Sequence, residues 1–438
     1  MRILIDNATV LTMNGERTIY DPGYVLTDGP VIRKVGSGPC GESFDRRIDG
    51  TGMILMPGMV NTHCHVPMVP FRTMGDDCPD RLRRFLFPLE LSAMTPRLVY
   101  VSSLYGICEM LLSGITTFLD MYYFEDQVAK ACEKAGIRGY LGETVINMET
   151  CDSKEPYGGL EYGEHFLSEW SGHELVTPIV APHGTNTNSR EALIEAHRLA
   201  ARYDTLYTLH ASEMDYELTY FKDTYGQTPT EFMYEQGLLD PNTIAAHCIH
   251  MTDHDLELLE QSGASVAHCI GSNTKAGKGV ARVKEMVERG IPVGLGTDGP
   301  SSGNTLSLFT QFRLFASFQK THYHDRSIFP AADIVHLGTM GGAKVLRAEE
   351  KIGSIEEGKL ADLVLVETDS VQMFPCFNPY SALVYGANAS NVHTVLVNGQ
   401  VLVENKALTR LNLKEIRTEL AEEMKEFKKM AEEYSDII

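Results

Sequence analysis

The sequence predicts an α/β fold: a (β/α)8 TIM barrel carrying a small β-sandwich domain built from both chain ends. Three observations predict it. Between residue 57 and about residue 350, eight short apolar runs alternate with helical stretches, the pattern of a parallel barrel with helical crossovers. At both ends of the chain the pattern is strand and turn. Five of the eight apolar runs end on histidine and a sixth on aspartate, and the active sites of such barrels form at the C-terminal ends of the strands.

In chain order, residues 1–56 read as the first part of the sandwich. Ile3 to Met13 is one run, Tyr24–Thr27 and Val31–Gly36 flank a turn at Asp28-Gly29-Pro30, and Ile54–Met56 leads into the barrel. Over residues 57–350 the barrel strands are expected at 58–64, 115–121, 138–145, 176–183, 205–211, 243–249, 264–269 and 292–298. Helices are expected from Arg97 to Leu112, Glu125 to Ala135, Asp253 to Ser262 and Val280 to Arg289. Asn188-Ser189-Arg190-Glu191 fits a capping box before a helix to Arg202. Residues 351–438 return to strands, Ala361–Val366 and Thr394–Val401, the latter with an Asn398-Gly399 hairpin turn. A final helix is capped by Asn412 and Glu415. Its apolar stripe is Leu413, Ile416, Leu420, Met424, Phe427 and Tyr434, a face for the barrel or a second subunit.

Composition narrows the function. A chain of 438 residues, 43% of them hydrophobic, buries a large core. A net charge of −21 repels phosphate backbones, so nucleic acid is not an expected partner. No run of 18 apolar residues occurs, so no membrane span is expected, and Met1–Asp6 reads as a strand rather than a signal peptide. Nine cysteines without a C-x-x-C read as free thiols of a reducing cytoplasm. Cys64, Cys248 and Cys269 adjoin motif histidines and read as small core residues.

The chain is organised around Pro57-Gly58-Met59-Val60-Asn61-Thr62-His63-Cys64-His65. On a strand, residues i and i+2 share a face, so His63 and His65 reach one metal ion. The later strands end in Pro182-His183, His210-Ala211-Ser212-Glu213, His247-Cys248, Ala267-His268 and Gly296-Thr297-Asp298-Gly299. A single histidine at a strand end is an ordinary core residue. The repetition points to a metal centre.

These motifs, with Ser272-Asn273 and Gly353-Ser354-Ile355-Glu356-Glu357-Gly358-Lys359-Leu360-Ala361-Asp362-Leu363, resemble the amidohydrolase superfamily. Within it the chain resembles the cytosine-deaminase-like aminohydrolase branch, and is most similar there to the 5′-methylthioadenosine/S-adenosylhomocysteine deaminases. The resemblance implies one divalent metal ion per chain held by His63, His65, His210 and Asp298. Three imidazoles and a carboxylate suit Zn2+, with Fe2+ also fitting. It implies that Glu213 shuttles a proton between water and a ring nitrogen, that His247 polarises the attacked centre and that Asp298 also handles protons. Binuclear members carry a carboxylated lysine on the fourth strand. Thr177–His183 has none, which argues for one metal.

The implied reaction is hydrolytic deamination of an aminated heterocycle with release of ammonia. An adenosine-type nucleoside is expected: 5′-methylthioadenosine, 5′-deoxyadenosine or an S-adenosylhomocysteine-like compound. A pterin, guanine-like, cytosine or triazine ring is the alternative, and a metal-free scaffold is opposed by the intact ligand set. Glu90, in Phe87-Pro88-Leu89-Glu90, matches a glutamate that binds ribose hydroxyls in the resembled deaminases. His183, Glu213 and His247 are further expected substrate contacts. The only tryptophan, Trp170, lies outside the loop where the family carries one, and arginines for a homocysteine carboxylate are missing. Glu143, Glu149 and Asp152 would repel an anionic tail, favouring neutral 5′ groups. A cytoplasmic homo-oligomer is expected.

Overall fold

The computed structural model describes residues 1–436. Its strands run in chain order as β1 (Arg2–Leu11), β2 (Ile19–Asp28), β3 (Val31–Ser37), β4 (Arg46–Asp49), β5 (Met53–Pro57), β6 (Met59–Cys64), β7 (Ile115–Tyr122), β8 (Arg138–Val145) and β9 (Val176–Pro182). They continue as β10 (Tyr207–Ala211), β11 (Thr243–His247), β12 (Ser265–His268), β13 (Val293–Leu295), β14 (Leu363–Glu367), β15 (Val392–Val397), β16 (Gln400–Glu404) and β17 (Ala407–Leu408).

Strands β6 to β13 form one parallel sheet in unbroken sequence order. Helices connect successive strands, so both faces of the sheet are covered, and every residue of β6, β7, β10 and β11 is buried. This explains why these strands read as continuous apolar runs rather than alternating ones. The sheet curls until its ends meet. Asp298 N–H, just beyond β13, donates to the His63 carbonyl at 3.0 Å. A Cβ at Gly294 would lie 2.4 Å from Thr62 Cγ2, and one at Gly296 would lie 2.9 Å from the His63 carbonyl oxygen. Side chains at these two positions would hold the barrel open. Strand β13 ends at Leu295, short of the expected 298, although Gly296 N–H still donates to the His268 carbonyl at 3.0 Å.

The two chain ends share a second, nine-stranded sheet in the order β17-β16-β15-β14-β5-β1-β2-β3, with β4 beside β1. The junction is β5 against β14, antiparallel from Leu363↔Pro57 to Glu367↔Met53. The strand entering the barrel thus pairs with the first strand after it. Inward residues of this sheet, including Ile3, Ile5, Val25, Leu55, Leu363 and Leu396, share their own apolar cluster. At the Asn398-Gly399 hairpin, φ is 47° and 69°, the left-handed pair that a two-residue primed turn requires. A buried ion pair ties the two sheets. Arg138, opening β8, binds Asp362 and the Asn398 side chain, and Asn398 N–H donates to Asp362 Oδ1 at 2.8 Å.

The helix Leu413–Ala431 packs on the barrel helix Pro96–Leu112, and Phe427 meets Phe71 edge to face at 4.9 Å. Ile416, Leu420 and Phe427 are buried, but the ends of the expected stripe, Leu413 and Tyr434, are exposed. Asn412 caps the helix as expected, accepting from the Lys414 and Glu415 amides. The helix from Arg190 is capped by Ser189, one residue later than the expected box, because Ser189 takes the extended backbone that a cap requires. The cysteines are unpaired. No helix among the described residues is long and apolar enough to cross a membrane.

Candidate active site

The site forms where five barrel strands end. His63 lies near the end of β6 and His65 one residue past it. His183 directly follows β9, His210 lies in β10, His247 ends β11, and Asp298 follows β13. Ser212, His247, Cys248 and Asp298 all have left-handed backbones, with φ of 50°, 72°, 46° and 58°. Each costs on the order of 1 kcal/mol, and the turns they make bring the strand-end side chains to one mouth.

The imidazoles are held in defined tautomers. His65 Nδ1–H donates to the Met121 carbonyl at 2.6 Å, which leaves Nε2 facing Asp298 Oδ1 at 3.2 Å. His210 Nδ1–H donates to the His183 carbonyl, which leaves its Nε2 3.1 Å from His63 Nε2. Two ring nitrogens that close need a proton or a cation between them. The donor atoms of His63, His65 and Asp298 lie within 4.8 Å of one another, as do those of His63, His210 and His247. Burial, then the neighbouring imidazoles, holds His63 and His210 well below the usual histidine range, so both stand as neutral ligands. Burial opposes charge on Asp298 too, but its bond to His65 and the nearby imidazoles hold it ionised, well below the usual range. Imidazole nitrogens and one anionic oxygen, buried and convergent, fit a divalent metal.

Glu213 lies beside this cluster. Its Oε1 accepts from Lys278 Nζ and lies 3.7 Å from His247 Nε2. Burial alone would raise this carboxyl. The neighbouring His247, the Lys278 ammonium and His210 outweigh it and hold Glu213 well below the usual range. His247 Nδ1–H donates to Asn273 Oδ1 at 2.8 Å, which turns Nε2 toward Glu213. The backbone around Glu213 is pinned by buried Glu217, whose carboxylate accepts from Ser212 N–H at 2.9 Å and Glu213 N–H at 2.8 Å.

A cavity of about 490 Å³ opens over these groups. His65, His183, His210, Glu213, His247 and Asp298 line its floor, and Leu86, Phe87, Glu90, Met121, Tyr122, Tyr123 and Thr144 its wall. Glu90 is buried, and that burial pushes its carboxyl up to about 7 against a Tyr122 hydrogen bond and the nearby His65 charge. All the expected site residues except His63 line this cavity; His63 is fully buried behind its floor, against His65, His210 and His247. His268 does not join them; it is buried and turned onto Phe315, with ring centroids 5.7 Å apart.

The expectation of a repelling acidic wall does not hold. Glu143 is buried away from the cavity, accepting from Glu125 N–H at 2.9 Å, and Asp152 is held by Thr150. The wall there is Thr144, and the rim carries both signs, Arg81, Lys275 and Lys278 with Asp76, Asp77 and Asp80, Lys275 being paired with Asp76 at 2.6 Å. A strand alternates its faces, so Thr144 faces the cavity where Glu143 cannot.

Lys278, Arg81, Glu217 and Asp120 escaped the sequence reading. Lys278 sits among glycines and Arg81 in a loop, with no periodicity to mark either. Glu217, four residues past Glu213 and at the third position of a new helix, carries a capping signal. Asp120 was legible by the strand-end rule. It accepts from Val66 N–H at 2.5 Å and Cys64 Sγ–H at 3.1 Å, steadying the backbone on both sides of His65.

Known proteins share this architecture. A family model described as "Amidohydrolase family" matches residues 54–402. The chain is 37% identical over 417 residues, 94% of each chain, to a 5-methylthioadenosine/S-adenosylhomocysteine deaminase 1 of Syntrophus aciditrophicus. It is 38% identical over 414 residues to a 5′-deoxyadenosine deaminase of Methanosphaera stadtmanae, covering 94% of this chain and 95% of that one. Among solved structures, an adenosine deaminase from Xanthomonas campestris with bound zinc superposes with a TM-score of 0.94 at 27% identity, over 98% of both chains. A triazine hydrolase from Arthobacter aurescens has the same fold, with a TM-score of 0.91 at 24% identity over 97% of this chain and 99% of that one.

Proposed function

From the premise that this chain belongs to the amidohydrolase family, we propose that it is a metal-dependent hydrolytic deaminase of adenosine-type nucleosides. 5′-Methylthioadenosine, 5′-deoxyadenosine and S-adenosylhomocysteine-like compounds are the substrate class. One observation carries the reading: His65, His210 and Asp298, with His63 buried behind them, converge beside Glu213 and His247 on the floor of a cavity walled by Glu90. Relatives more than one third identical over nearly the whole chain carry deaminase names.

The four convergent residues are the metal ligands in this reading, and Zn2+ is the ion, as in the zinc-bound structural neighbour. When bound, such an ion supplies a water acidified from 15.7 toward about 7. The rest is the work of the chain. Glu213 accepts the proton of the attacking water and delivers it to a ring nitrogen, a transfer worth roughly 10²–10⁴-fold. His247, oriented by Asn273, presents Nε2 to the attacked centre, and Asp298 is the second group placed to hold a proton. Oxygen bonds to the ring carbon, the carbon–nitrogen bond to the amino group breaks, and ammonia leaves. Glu90, with Tyr122 beside it, accepts from the ribose hydroxyls, and His183 contacts the base. The rim is mixed in sign rather than acidic: Arg81 and Lys275 lie beside Asp76, with Asp77 and Asp80 near them.

The test is ammonia release across 5′-methylthioadenosine, 5′-deoxyadenosine, adenosine, S-adenosylhomocysteine, cytosine, guanine, a pterin and a triazine. Turnover of the nucleosides is expected to exceed that of the other rings by at least about 10⁴-fold, the lower end of what is lost when a built site's polar partners go unmade. Turnover confined to cytosine, pterin or triazine would overturn the reading. A cytoplasmic homo-oligomer also belongs to this proposal, supported by unpaired cysteines and by exposed Val371, Phe374 and Phe377. A monomer mass by light scattering would remove the oligomer.

A further inference from the structure

Lys278 is a cation in a place where the proton chemistry needs a carboxylate. Its side chain and that of Glu213 are each only 18% exposed, and its Nζ is bound to Glu213 Oε1. Among the described residues no hydrogen bond engages Glu213 Oε2, which is open to the cavity. The carboxylate thus has one oxygen tied and one free.

The tie comes from a segment that also orients the neighbouring group. Lys278 N–H donates to the Asn273 carbonyl at 2.9 Å, and the Asn273 side chain accepts from His247 Nδ1–H at 2.8 Å. One short segment, residues 273–278, therefore aims both His247 and Glu213. The chain leaves this segment at Gly279, where φ is 127° and a Cβ would meet Ile249 Cγ2 at 3.0 Å. That backbone belongs to glycine and fixes where Lys278 begins.

We propose that Lys278 is a positioning residue for Glu213: its ammonium holds Oε1, so that Oε2 is the oxygen presented to the attacking water and the ring nitrogen. This rests on the proton-transfer role given to Glu213 above. Unpinned, a glutamate rotates about its terminal bond and exchanges its oxygens. Proton transfer needs about 2.6–3.2 Å between heavy atoms, and misplacement by about 1 Å costs roughly 100-fold. In this proposal Lys278 acts through Glu213 Oε1, so its effect is expected on turnover rather than on binding. The charge matters as well as the tether: burial opposes an ionised Glu213, and Lys278 is among the charges that keep it ionised.

The experiment measures kcat, KM and bound metal in the holoenzyme for Lys278→Met, Lys278→Arg, Glu213→Gln and the double variant Lys278→Met/Glu213→Gln. Lys278→Met is expected to lower kcat by about 10–100-fold, with KM within about threefold and metal unchanged. Lys278→Arg is expected to restore most of the loss. In the Glu213→Gln background, Lys278→Met is expected to change kcat by less than about twofold, because no carboxylate remains to be held. If Lys278→Met does not fold, Lys278→Gln is read against the same limits. The proposal is overturned if Lys278→Met keeps kcat within about threefold, if it raises KM with kcat intact, or if its loss multiplies that of Glu213→Gln. A Glu213→Gln enzyme with near-parental kcat would instead remove the proton-transfer role itself, so the two failures are told apart.

Discussion

Glu90 is a buried acid whose cost to the fold varies with pH. It is 5% exposed, and burial lifts its carboxyl from an ordinary 4.5 to about 7. Between those values the unfolded chain has released the proton and the folded chain still holds it. Stability therefore falls as pH rises through this window, and the cost is complete above pH 7. At about 1.4 kcal/mol per tenfold change, the full cost is about 3 kcal/mol. A bound metal near His65 would favour the ionised form, so this figure is a ceiling for the holoenzyme. Glu90→Gln keeps the shape and removes the titration. The variant is expected to match the parent in stability near pH 4.5 and to gain on it by up to about 3 kcal/mol by pH 8. It should also raise KM for nucleosides with free ribose hydroxyls. The assay is denaturant unfolding of both proteins at half-unit steps from pH 4.5 to 8.5, with nucleoside kinetics at pH 8. A stability difference flat across that range would refute the reasoning about Glu90. A gain in stability without a rise in KM would leave its burial intact and remove its role at the ribose.

Three further outcomes follow from the geometry. Glu213→Gln should retain its metal and lose about 10²–10⁴-fold in kcat, since an amide accepts no proton from water; near-normal turnover with full metal would pass the proton work to Asp298 or His247. His63→Ala and His210→Ala should each hold well under one divalent ion per chain by elemental analysis, while His268→Asn, away from the cluster, should hold a full complement; full metal in the first two would overturn the ligand set. Arg138→Met leaves Asp362 buried without its cation, and breaking such a pair costs about 3–5 kcal/mol. A denaturation midpoint unchanged by that substitution would show that the tie between the two sheets carries little stability.

Much of the architecture was legible in local pattern. Continuous apolar runs separated by helical stretches specify a sheet covered on both faces, and the eight runs became β6 to β13 in order. The strand-end rule located His63, His65, His183, His210, His247 and Asp298, because residues at the ends of parallel strands necessarily surround one opening. The rule reached its limit at His268. A strand end says where a residue stands, and the packing around it says which way it turns. The acidic loop was misjudged for the same reason. Glu143 and Thr144 are adjacent in sequence and face opposite sides of β8, and only the assembled barrel shows which side is the cavity.

The sequence by itself determined the eight barrel strands, the pairing of the two chain ends, the strand ends that meet at the mouth and the chemistry of the groups they carry. These follow from periodicity, turn residues and side-chain type, all local properties. Tertiary structure alone decided the partners. Lys278 on Glu213, Asp120 beneath the backbone on both sides of His65, Glu217 under the turn at Ser212 and Arg138 between the sheets each join residues brought together by the closed barrel or by the junction of the sheets. Such contacts leave no periodic trace, because a single charged side chain far away in sequence is fixed only by where the chain finally packs.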